Sequence, residues 1–128
     1  MTDAAPTPQI VDVTIDDPRL FGPVLERLVS AAAARAEMPV DRVINALTVV
    51  DQLVAATGSV LDGDARELAV EIGDRRLRLA IAGLEDGQAE AIHEAAVLGP
   101  MGNVFERTAS AVTTERRGAH SALVISLD

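Results

Sequence analysis

The feature that most constrains the fold is a change of hydrophobic period along the chain. Residues 10–15 (Ile-Val-Asp-Val-Thr-Ile) alternate in the manner of a strand, whereas residues 20–37 and 40–58 place apolar side chains three and four apart. Residues 67–72 return to alternation through Leu68, Val70 and Ile72, and residues 76–82 repeat it through Leu77, Leu79 and Ile81. Gly73-Asp74 between these two runs is a turn signal, so they read as a hairpin with Arg76 and Arg78 on its wet face. A chain that mixes the two periods in this order must pack amphipathic helices on a sheet, which predicts a two-layer α+β sandwich.

Start and stop signals sharpen the elements. Asp16-Asp17-Pro18 marks a helix start, since an Asp oxygen can accept from free amides and proline suits the first turn. The helix over 20–37 carries Phe21, Val24, Leu25, Leu28, Val29 and Ala32 on one stripe. The next begins at Pro39 and Asp41, ends at Gly58, and has Val40, Val43, Ile44, Leu47, Val50 and Val54 as its expected buried stripe. Asp62-Gly63-Asp64 is a turn. Residues 85–97, acidic and alanine-rich, predict a short helix, and residues 99–108 a last one. Residues 109–116 and 120–127 form a terminal hairpin across Arg117-Gly118-Ala119. Residues 1–8, with Pro6 and Pro8, read as a loose arm, which leaves 9–128 as a single domain.

Composition removes several classes of function. At 128 residues and 48% hydrophobic, the chain can bury a core without disulfides or metal. All 11 basic residues are arginine, so a P-loop lysine or a Schiff-base lysine is excluded. The absence of cysteine excludes thiol catalysis and fits a reducing cytoplasm. A net charge of -9 opposes binding to a phosphate backbone. With no signal segment and no apolar run of the length a membrane span needs, no membrane association is expected. His93 and His120 lack metal-ligand spacing, and no metal site is expected. Ser110, Thr113 and Thr114 have no positioned base nearby.

The segment 40–58, Val-Asp-Arg-Val-Ile-Asn-Ala-Leu-Thr-Val-Val-Asp-Gln-Leu-Val-Ala-Ala-Thr-Gly, resembles the nucleotide-site helix of the GHKL (histidine-kinase-like) ATPases, particularly the anti-sigma-factor serine kinases. The element order from residue 10 to residue 127 resembles their layout as well, which implies a mixed, mostly antiparallel five-stranded sheet with helices on one face. In that family the helix carries Glu-x-x-x-Asn, and the resemblance lays Asp51 and Ala55 on those positions. Asp51 would then be the catalytic or water-positioning acid, while Ala55 offers no oxygen to magnesium; pairing Gln52 with Ala56 instead loses both acid and amide. Glu85, Asp86 and Gly87 stand where the family reads adenine with Asp-x-Gly-x-Gly, and Gly99 and Gly102 where a glycine loop holds phosphates, both with altered spacing. On their own chemistry, Asp51 is equally a half-buried acid bonded to an amide, and Asp86-Gly87 an ordinary turn.

The resemblance therefore implies a diverged regulatory module of bacterial transcription that binds a protein, a sigma factor or its antagonist, with no cofactor expected. An active serine/threonine kinase using ATP and magnesium is the alternative, and a structural module with neither activity the third reading. A homodimer is compatible with all three. Phe21, one of only two aromatic residues with Phe105, is either an anchor for the partner or part of the core.

Overall fold

The computed structural model of the protein describes residues 9–61, 63, 65–97 and 99–128. The expected arm over 1–8, and Asp62 and Asp64 of the expected turn, lie outside the described residues. The elements are β1 (Gln9–Ile15), α1 (Pro18–Arg35), α2 (Val40–Val60), β2 (Arg66–Gly73), β3 (Arg76–Leu84), α3 (Gln88–Ala95), a 3-10 turn (Gly99–Met101), α4 (Val104–Thr108), β4 (Ala111–Arg117) and β5 (His120–Leu127). The strands form one sheet in the order β1-β2-β3-β5-β4. Every neighbouring pair is antiparallel, so the expected mixed pairing gives way to a uniform one. Two antiparallel helices between β1 and β2 return the chain to the end of the sheet it left, and tight turns reverse it between β2 and β3 and between β4 and β5. The result is the α+β sandwich expected from the two periods.

α1 starts as its residues dictate. The Asp17 carboxylate accepts from the Arg19 backbone N–H at 3.0 Å and from the Arg19 guanidinium at 2.9 Å, with Pro18 in the first turn. The side-chain bond from Arg19, helped by the backbone bond, holds the Asp17 carboxyl below the usual carboxylate range. A carboxylate with a lowered folded-state pKa contributes its stability above the ordinary carboxylate value and loses it as the pH falls through the lowered one. Asp17→Asn keeps the cap oxygen and removes the charge. The gap in melting temperature between the two proteins is therefore expected to be small at neutral pH and to close below about pH 4.

α1 buries Phe21, Leu25, Val29, Ala32 and Ala33, with Val24 and Leu28 half-buried beside them. This is the expected stripe. It places Phe21 in the core, where the Arg66 guanidinium lies 5.5 Å over its ring, so the anchor reading of Phe21 is corrected.

α2 departs from expectation at its end and on its face. The helix continues past Gly58 to Val60, with the Leu61 N–H donating to the Thr57 carbonyl. Gly58 keeps a helical conformation because nothing at that point requires a left-handed residue. Its buried side chains are Ala46, Val49, Val50, Leu53, Ala56 and Thr57, not the expected stripe. Val50 belongs to both sets and Val43 and Val54 are half-buried, but Val40 is 76% and Ile44 59% exposed. The expected last helix over 99–108 is also broken. Gly102 takes a φ of 77° and Asn103 is extended, which leaves a 3-10 turn and then a five-residue helix.

The sheet turns Leu68, Val70, Leu77, Leu79, Ile81, Leu123, Ile125 and Leu127 toward the helices, where they form one cluster with the buried faces of α1, α2, α3 and α4. Its other face holds Ala80, Ala122 and Val124 flanked by Ala69 and Ala82. There Arg78 bridges Glu71 and Glu115, both at 3.4 Å. β3 bulges at Gly83 before it pairs Leu84 with Ser121. Gly83 has a φ of 70°, a left-handed conformation that favours glycine, and the Glu67 carboxylate lies against its open side.

Candidate functional site

The residues expected to form a nucleotide site come from three places. Asp51 and Ala55 lie in the middle of α2 and are both exposed. One residue further along, about 100° around the helix, Gln52 is half-buried and Ala56 buried. Two contacts fix the helix orientation. Val54 lies against α1, where a methyl group on Gly22 would sit 3.5 Å from its Cγ1. Asn45 faces Thr108 of α4 across a shallow depression also lined by Met38, Arg42, Leu127 and Asp128, with no interior room for a water molecule. Asn45, Val49, Gln52 and Ala56 recur at spacings of four, three and four, which makes one stripe on the side of α3 and α4. Asp51 and Ala55 fall outside that stripe and face solvent.

An acid and an amide four apart do occur in this helix. Asp41 and Asn45 in its first turns have the Asp-x-x-x-Asn spacing, a signal present in the sequence ten residues before Asp51 and Ala55. Asp41 is exposed and Asn45 half-buried at the edge of the depression. This pair sits at the end of the sheet where β5 finishes. The turn between β3 and α3 is at the opposite end, since β3 and β5 run antiparallel.

That turn holds Glu85, Asp86 and Gly87, all exposed. The Asp86 carboxylate accepts from Arg116 at 3.0 Å, and the Glu85 N–H donates to the Gln88 side chain at 2.8 Å. Gly87, with a φ of 85°, starts α3. The geometry is that of a capped turn linked to β4. Gly99 and Gly102 bracket the 3-10 turn, closed by a Gly102 N–H to Gly99 carbonyl bond at 3.3 Å. Both have positive φ, 51° and 77°.

What joins α3 and α4 is apolar and amide chemistry. Ala89 and Ile92 of α3 and Val104 and Phe105 of α4 are buried. Asn103 ties the two helices together: its Nδ2 donates to the His93 carbonyl at 2.7 Å, and its Oδ1 accepts from the Glu106 N–H at 3.2 Å. The His93 ring is half-buried against Phe105, their centroids 6.4 Å apart. Its Nε2 lies 3.3 Å from Glu106 Oε1, close enough for an ion pair but not aligned for a hydrogen bond. Packing of α4 beside α3 leaves the His93 side chain 27% exposed. His120 is exposed.

The polar side chains of β3 and β4 do not share one face of the sheet. Arg76 and Arg78 lie on the sheet's open face, but Thr114 pairs with Leu123 and Arg116 with Ser121, which puts both on the helix side beyond the helices. Among the described residues no cluster of His, Asp and Glu has the arrangement of a metal site. The expectation that no segment has the length and apolarity of a membrane span is corrected by α2: over 18 residues its mean hydropathy is 1.4, and by length and composition it is apolar enough to cross a membrane. Here it is one helix of the sandwich's helical layer, with a third of that window buried. No protein-family model matches the chain, and no curated protein matches its sequence.

Proposed function

We propose that this domain is a diverged relative of the GHKL ATPases, of the anti-sigma-factor kinase type, that regulates bacterial transcription in the cytoplasm by binding a protein. The observation that carries the reading is the outer face of α2. It presents Val40 and Ile44 to solvent, with Leu47 half-buried, beside Asp41 and Asp51. Contiguous exposed apolar side chains with a charged rim are the composition of a protein-binding surface. The same helix turns Gln52 and Ala56 toward α3 and α4, a pair that supplies neither a carboxylate nor a metal-binding amide at the spacing a magnesium–phosphate cluster uses. The partner suited to this surface is a sigma factor or an antagonist protein that offers an apolar helix face.

Titration with magnesium–ATP, followed by calorimetry, tests the reading. No heat of binding is expected at millimolar nucleotide, because a phosphate cluster left without a metal ligand is poorly neutralised. Micromolar affinity would make the serine/threonine kinase the better reading, with Asp41 and Asn45 as the first residues to substitute. For the surface, Ile44→Glu should leave the fold intact and abolish co-purification with a sigma factor; capture undiminished by that change would move the binding surface elsewhere.

A further inference from the structure

The two edges of the sheet are built differently. β4 carries Glu115, Arg116 and Arg117 among seven residues, with Glu115 held by Arg78 and Arg117 and Arg116 held by Asp86. Charge on an outer strand is one of the devices that prevent further pairing. β1, Gln-Ile-Val-Asp-Val-Thr-Ile, has one charged residue, no proline and an unbroken register against β2. Ile10 is 62% exposed, and Val11 and Val13 are half-buried. Among the described residues, no strand pairs with its outer side. Such an edge offers a row of N–H and C=O groups to an incoming strand.

The side chains select what can be added. Residues directly opposite in an antiparallel pair share a face and interact. On the open face Asp12 stands in a row with Ala69, Ala80, Val124 and Thr113, and Glu67 lies diagonally from it, opposite Thr14. Neither Asp12 nor Glu67 has an ion pair among the described residues. The helix side of the same strand offers Val11 and Val13. A second copy added antiparallel about the strand's midpoint sets Asp12 against the same residue of the other copy, in a chain of net charge -9. Like charges directly opposite are destabilising, so self-pairing is disfavoured.

We propose that the outer edge of β1 is a strand-addition site for an extended segment of another protein, one that sets a basic residue opposite Asp12 and aliphatic residues opposite Val11 and Val13. Backbone hydrogen bonds supply the binding, and the alternation of basic and aliphatic side chains supplies the selection. The site is independent of the outer face of α2 and of any nucleotide chemistry.

The test uses the whole chain and two synthetic seven-residue peptides, one alternating lysine with valine and one alternating glutamate with valine. Binding is read by fluorescence anisotropy and by amide hydrogen exchange over 9–15. The lysine peptide is expected to bind and to slow exchange in β1, and the glutamate peptide to bind at least about tenfold more weakly. Asp12→Lys, at an exposed position and with melting temperature as a control for folding, should invert that order. Unchanged exchange in β1, equal binding of the two peptides, or a preference that survives Asp12→Lys would overturn the proposal. So would a stable dimer of the chain alone that protects β1.

Discussion

Phe105→Ala is expected to lower the unfolding free energy by about 3–5 kcal/mol, the range for removing a large aromatic from a packed core. α4 is five residues long, too short to hold as a helix by its own hydrogen bonds. What holds it is the fully buried Phe105 ring together with Val104, and the Asn103 cap that also reaches the His93 carbonyl. Removing the ring therefore leaves a cavity under α4 and frees the α3–α4 connection together. The shift should appear in urea denaturation midpoints. Hydrogen exchange should also report faster opening over α3 and α4 than over β2 and β3, because loss of one anchor acts first on the least supported segment. A loss below about 1 kcal/mol, within the range of surface substitutions, would mean that the ring is not enclosed as described.

The second large effect separates two leucines of the same helix. Leu53→Ala should cost about 2–5 kcal/mol by transfer and cavity terms, because Leu53 is fully buried in the central cluster. Leu47→Ala should cost less than about 1 kcal/mol, because Leu47 is half-buried and outside that cluster. The residues differ in nothing but their position around the helix. Equal losses from the two substitutions would return the buried face of α2 to the stripe expected from the sequence, to which Leu47 belongs.

The error on α2 has a physical origin that α1 makes clear. α1 interleaves its apolar positions with Arg19, Glu26, Arg27, Ser30 and Arg35, so only one sector can be buried, and the buried sector follows from the pattern. α2 contains Asp41, Arg42 and Asp51 as its only charged residues in 21, so apolar side chains occupy nearly every direction. In such a helix the pattern announces burial without choosing the face. The choice was made by Gly22 admitting Val54 on one side and by α3 and α4 closing on the other. With it went the expected site, since the rotation that buries Leu53 turns Asp51 to solvent and Gln52 inward. The turns at Glu85-Asp86-Gly87 and Gly99–Gly102 were legible as turns because glycine in a left-handed conformation leaves a local signature. That Asp86 would be occupied by Arg116, thirty residues on, carried no local signal.

Determined by the sequence were the strands, the helices, their order and the sandwich they make, because strand and helix periods are local properties that survive any choice of neighbour. Decided only by the tertiary structure were the buried sector of α2, the burial of Phe21 and the half-burial of His93, the breaking of 99–108 into a turn and α4, and the contrast between the bare edge of β1 and the charged edge of β4. Each depends on which surfaces meet, and the free energy of burying a side chain is set by what covers it as much as by what it is.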